Sequence, residues 1–149
     1  MYKVIDETRL KKYNRKIEHI LLRISQIDEW TRGISEDEFV NDEMRKLATY
    51  KAFQEIVGSS MDIIAMICKD VGIAPEDDYT NIEKLEDRGF LDKDLANRLL
   101  EANRLRNILV HRYNKVNDAI AFESIKELIT AFQKLVEVIK KWIKENLEI

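Results

Sequence analysis

Only four glycines and one proline punctuate 149 residues, and three of those glycines stand where one apolar stripe ends and the next begins. A chain this poor in residues that tolerate tight reversals cannot supply the frequent turns of a sheet, so it must run in long helices joined at few breaks. The first stripe opens near Asp6, carries Ile17, Ile20, Leu21, Ile24 and Ile27 at spacings of three and four, and stops at Gly33. After the acidic stretch at 35–38, a second stripe carries Leu47, Tyr50, Phe53, Ile56, Val57, Met61, Ile64, Ile67 and Cys68, and stops at Gly72 ahead of Pro75. A short helix is predicted from about Asn81 to Arg88, closed by Gly89. Asp92 is placed to cap a fourth helix that runs through Leu95, Leu99, Leu105, Ile108 and Leu109 towards Tyr113. The last helix opens near Asp118 and carries a wide stripe from Phe122 to Ile143. The expectation is an all-α, up-and-down bundle of four long helices plus a short one, in a single domain over residues 1–149.

Composition narrows the function classes. With 45% hydrophobic residues, a chain of this length can bury one core and not comfortably two. Its longest apolar run, Ile63 to Cys68, falls far short of the roughly 20 residues that cross a bilayer, and the N-terminus lacks the apolar centre of a signal peptide. No membrane partner is expected, and the cytoplasm is the expected compartment. The lone Cys68, flanked by Ile64 and Ile67, reads as a small buried hydrophobe. Gly58, interior to the second helix, marks a close helix contact or a bend. Two histidines and one cysteine cannot build the common tetrahedral zinc site, and there is no glycine-rich phosphate loop, so neither metal nor cofactor is expected. Pairs of Asp and Glu occur throughout and read as solvated helix faces. His19, beside Glu18 and near Arg23, reads as a surface or half-buried helix residue. Net charge is −3, so contact with nucleic acid must rest on a local basic patch.

Such a patch exists. From Ala102 to Asn117 there is no acidic residue, although Asp and Glu fill 28 of the 149 positions, and Arg104, Arg106, Arg112 and Lys115 all lie within it. On an α-helix Asn107 and His111 share one stripe, while Arg106 and Tyr113, seven apart, share its neighbour. Ile108 and Leu109 are expected to turn inward and hold the helix, leaving the polar edge exposed on a rigid mount.

The string Arg106-Asn107-Ile108-Leu109-Val110-His111-Arg112-Tyr113, an arginine, four residues, a histidine, one residue and a tyrosine, resembles the signature of the HEPN superfamily, specifically its HepT-type toxin ribonucleases. The resemblance implies a HEPN-like bundle with the motif on the penultimate long helix. It also implies homodimers, with room for a higher oligomer, in which two copies of the motif form one metal-independent site for cutting RNA. Cleavage without metal needs a group to take the 2′-hydroxyl proton, a cation for the charged phosphorane and an acid for the leaving oxygen. By this resemblance His111 is the general acid or base and Arg106 holds the scissile phosphate. Asn107 is expected to orient His111 or the phosphate, and Arg104, Arg112 and Lys115 to steer the RNA, tRNA or mRNA. The same resemblance implies a partner antitoxin, a minimal nucleotidyltransferase, that silences the toxin by adding AMP to Tyr113. Two other readings use the same residues: a non-catalytic helical partner that presents nucleotide or substrate to that transferase, and a plain helical assembly protein.

Overall fold

A computed structural model of the chain describes residues 5–147. Every α-helix in it starts on a side chain that accepts from the amide three residues on. Asp6 caps α1 (Glu7–Thr31), Ser35 caps α2 (Glu36–Asn41), and Asp42 caps α3 (Glu43–Asp70). Asp77 caps α4 (Asp78–Asp87), Asp92 caps α5 (Lys93–His111), and Asn117 caps α6 (Asp118–Asn146). Each cap satisfies an amide that the helix itself leaves unpaired, and contributes about 1 kcal/mol. Three helices close at glycine. Gly33, Gly72 and Gly89 all have positive φ, and the amides of Ile73 and Phe90 reach back to the carbonyls of Cys68 and Leu85 in the six-to-one pattern of a glycine-terminated helix.

α1 and α3 form an antiparallel pair. Arg9 bonds Asp70, Lys16 bonds Asp62 and Arg23 bonds Glu55, so each seven-residue step up one helix matches a step of seven or eight residues down the other. α5 and α6 pack together beside them, with α4 bridging α3 and α5, and α2 lying against α6. Inside is one contiguous core in which Phe53 meets Phe132 edge-on and Phe39 stacks on Phe122 with ring centroids 4.5 Å apart. Ile5 pairs with the end of α6 through its amide and the Asn146 carbonyl, 3.1 Å apart. No helix among the described residues is long and apolar enough to cross a membrane.

The bundle is all-α, as the breaks predict, and four sequence expectations need correction. There are two short helices rather than one: the acidic stretch at 35–38 opens α2, through a reciprocal cap between Ser35 and Glu38, and Phe39 drives the helix into the core. α4 starts at Asp78, three residues before the predicted Asn81, because Asp77 supplies the cap. Ile108 is 41% exposed and only Leu109 turns inward, while Leu21 and Leu47 sit at the exposed margins of their stripes. Finally, α5 ends at His111, and Tyr113 belongs to a separate 3-10 turn, Tyr113–Lys115.

Candidate active site

The end of α5 carries the basic motif, and two different environments share it. Arg106 is half-buried, and its side chain runs back along its own helix and across to α4. Nη2 donates to Asn103 Oδ1 at 2.8 Å and to Asp78 Oδ2 at 3.1 Å, and Nε donates to Asn107 Oδ1 at 3.0 Å. Asn107 Nδ2 in turn donates to the Tyr79 hydroxyl at 3.1 Å. Asn107 is therefore turned to Arg106 and Tyr79, and makes no hydrogen bond to His111 among the described residues. Gly58 of α3 faces the same guanidinium: a Cβ built there would lie 3.9 Å from Arg106 Nη1, an ordinary van der Waals distance and not the close helix approach that an interior glycine suggested.

His111 is the last residue of α5 and is exposed. Among the described residues its ring makes no hydrogen bond or ion pair. Arg106 and His111 are five residues apart, which on an α-helix means about 7.5 Å of rise and roughly 140° of rotation, so the two side chains leave the helix in different directions. The helix terminates because Arg112 leaves helical geometry at φ −133°, its amide still bonded to the Ile108 carbonyl at 2.8 Å. A depression of about 560 Å³ follows, lined by Val110, His111, Arg112, Tyr113, Asn114 and Lys115. Arg104, Arg112 and Lys115 are exposed, and none of them enters an ion pair among the described residues.

Tyr113 faces a second polar cluster. Its ring packs edge-on against Tyr50 at 6.2 Å, and its hydroxyl donates to Glu43 Oε1 at 3.4 Å. Below it, Tyr50 donates to Asp118 Oδ1 at 2.5 Å, and the buried Lys46 ammonium bridges Asp118 and Glu43 at 3.1 Å each. Partial burial, then the Glu43 charge, pushes the Tyr113 hydroxyl above its ordinary pKa. Burial works against the Lys46 charge, and Asp118 and Glu43 outweigh it, so the ammonium is held above its ordinary value.

The structure thus joins Arg106 to Asn107, leaves His111 open at the helix end, and sets Tyr113 over Glu43 and Tyr50. Sequence reading missed Asn103, Asp78, Tyr79, Glu43, Lys46 and Tyr50. Asn103 had a local signal, being one helical turn from Arg106; the others come from α3 and α4 and have none. Among the described residues, no group of three or more His, Cys, Asp and Glu side chains is arranged to hold a metal ion. His19 sits on the α1 to α3 face with Nε2 at 2.9 Å from Glu55, as a half-exposed helix residue should.

Comparison with known proteins places this geometry in a family. A protein described as a candidate RNase from Archaeoglobus fulgidus is 37% identical over 137 residues, spanning 89% of this chain and 97% of that one. The tRNA nuclease HepT of Aphanizomenon flos-aquae is 26% identical over 143 residues, covering 94% of this chain and 90% of its own. Among solved structures, the tri-AMPylated HEPN toxin of Shewanella oneidensis, in complex with an MNT antitoxin, superposes with a TM-score of 0.79. That superposition is at 23% identity and covers 87% of this chain and 97% of the toxin, a likeness of fold. The model of the family described as ribonuclease HepT-like matches residues 20–139, which takes in five of the six helices in whole or large part and all of the motif from Arg106 to Tyr113: the chain belongs to the ribonuclease HepT-like family.

Proposed function

We propose that this protein is the toxin of a toxin-antitoxin pair, a metal-independent endoribonuclease whose site is completed at a homodimer interface. The observation that carries the reading is the end of α5. An exposed imidazole with no partner among the described residues stands about 1.4 turns from an arginine whose fork is held by three side chains. Membership of the HepT-like family, and the nuclease names of its relatives, support ribonuclease as the activity.

The chemistry follows from proton bookkeeping. His111 of one copy takes the 2′-hydroxyl proton, and the oxygen attacks the adjacent phosphorus. Arg106 binds the non-bridging oxygens as their charge grows, and a planar guanidinium suits that geometry. The P–O5′ bond breaks, His111 of a second copy protonates the leaving 5′-oxygen, and the products are a 2′,3′-cyclic phosphate and a 5′-hydroxyl. Arg104, Arg112 and Lys115 hold the flanking backbone, an electrostatic contribution that weakens with salt. A partner nucleotidyltransferase adds AMP to Tyr113, bringing negative charge and bulk to the lip of the depression beside His111. The modified Shewanella toxin, bound to its MNT antitoxin, supports that partner class.

The test is incubation of wild-type and His111→Ala protein with total RNA and with tRNA in EDTA, followed by end-group mapping. Cleavage by the wild type alone, with cyclic phosphate ends, is expected. Loss of cleavage in EDTA, or full activity in His111→Ala with an unchanged helical circular dichroism signal, would overturn the assignment.

A further inference from the structure

Resting on the ribonuclease reading, we propose that Asp78 is a positioning residue of the site, one that sets which edge of the Arg106 guanidinium meets the substrate phosphate. Arginine presents five N–H donors in a rigid plane. In this chain three of them are taken by side chains, Nε–H by Asn107 and the two on Nη2 by Asn103 and Asp78. The Nη1 amino group has no acceptor among the described residues, and it lies on the side of α3 where Gly58 contributes no side chain, 3.9 Å from where a Cβ there would stand. An anion reaching Nη1 does not have to displace Asp78.

Asp78 differs from the other two acceptors in kind. Asn103 and Asn107 are on α5 and move with Arg106, whereas Asp78 stands on α4 and contributes the one charged contact, an ion pair of 3.1 Å. It therefore fixes the rotation of the fork relative to its neighbours, and not only relative to its own helix. Its own position is secured. Asp77 caps the first turn of α4, Ile82 and Leu85 are buried, and Asn81, 1% exposed, bonds Glu76 N at 2.7 Å and Glu76 O at 3.2 Å. Tyr79, the next residue, receives the Asn107 amide, so two consecutive residues of α4 clamp two consecutive residues of α5.

The test uses the full-length protein as Asp78→Ala and Asp78→Asn, with steady-state cleavage of tRNA and the side-chain Nε–H resonance of Arg106, assigned by its absence in Arg106→Ala. Loss of orientation without loss of the binding charge predicts kcat lower by about 10- to 100-fold in Asp78→Ala, with KM within about twofold of wild type. Asp78→Asn keeps an acceptor oxygen in place and should recover most of the lost rate, and the Nε–H signal should persist in it and vanish in Asp78→Ala. An unchanged kcat in Asp78→Ala overturns the proposal, as does a fall in KM, which would make Asp78 a competitor of the phosphate. Equal losses in both variants with a lowered unfolding midpoint would also overturn it, since they describe a residue that only holds the fold. If wild-type protein cuts no RNA, the ribonuclease reading fails by itself. The Nε–H signal then decides alone, its loss in Asp78→Ala upholding the positioning role and its persistence ending it.

Discussion

Arg106 and Tyr113 lie seven residues apart on the chain and in different surroundings. A helical wheel puts them on one stripe, but α5 has ended before Tyr113, and the contact that Arg106 makes within the motif is with its chain neighbour Asn107. The motif residues themselves were legible because arginine, histidine and tyrosine at fixed spacing are local facts. Their partners were not, because Asp78 is 28 positions from Arg106 and Glu43 is 70 from Tyr113, and nothing near either residue announces the pairing. Tyr113 hangs over Glu43 with 38% of its surface exposed, so its hydroxyl is reachable at the site's lip while its ring leans on Tyr50. Replacing Tyr113 with Phe keeps the ring contact and removes the hydroxyl, and with it the bond to Glu43 and the proposed acceptor of AMP. The variant should retain cleavage within a few-fold of wild type and take up no label when a cognate nucleotidyltransferase is supplied with radiolabelled ATP. Labelling of Tyr113→Phe at the wild-type level would place the modification on another residue.

At the scale of elements, glycine and aspartate carried most of what could be read. Gly33, Gly72 and Gly89 end helices with positive φ, and Asp6 and Asp92 begin them, all as their positions predict. α2 escaped because its charge masked its cap. Ser35 followed three residues later by Glu38 is the spacing of a reciprocal cap, and one apolar residue after it, Phe39, is fully buried against Phe122 and Tyr50. The end of α5 escaped for the opposite reason, since no glycine or proline lies between His111 and Asn117, and the stop is made by Arg112 and the fresh cap at Asn117. If α2 is held by its cap, Ser35→Ala should lower unfolding free energy by about 1 kcal/mol. A change within about 0.3 kcal/mol in urea titration would instead describe a surface loop, because uncapped surface substitutions seldom exceed a few tenths.

For the whole molecule, ionisable groups set the limits of stability. Tyr13 and Tyr50 are buried and donate to Asp70 and Asp118, so burial first and those carboxylates second raise both hydroxyls far above their ordinary pKa. An unfolded chain releases those protons near pH 10 while the folded one keeps them, so stability is full below that pH and falls as pH rises through and beyond it. Asp42 and Asp77 are held below the carboxylate range by the amides of Arg45 and Thr80, and Glu55 by Arg23 and His19 against its own burial. Their contribution is present above about pH 4 and lost as pH falls through the folded values. Urea midpoints should therefore plateau between about pH 5 and 9 and fall on both sides; a midpoint still rising past pH 10 would contradict the tyrosine assignments.

To the same scale belongs our proposal that one chain supplies half a site. Arg106 and His111 diverge by about 140° on their helix, and the motif of a single chain offers one imidazole where the proposed reaction needs both an acid and a base. The most direct measurement is EDTA-resistant cleavage of tRNA by wild-type and His111→Ala chains co-expressed in varied ratio and purified together. If both copies of His111 act in one site, activity falls as the square of the wild-type fraction, to about one quarter at an equal mixture of randomly paired chains. A linear fall, to about one half at that mixture, would mean that each chain cuts alone and would contradict the shared site.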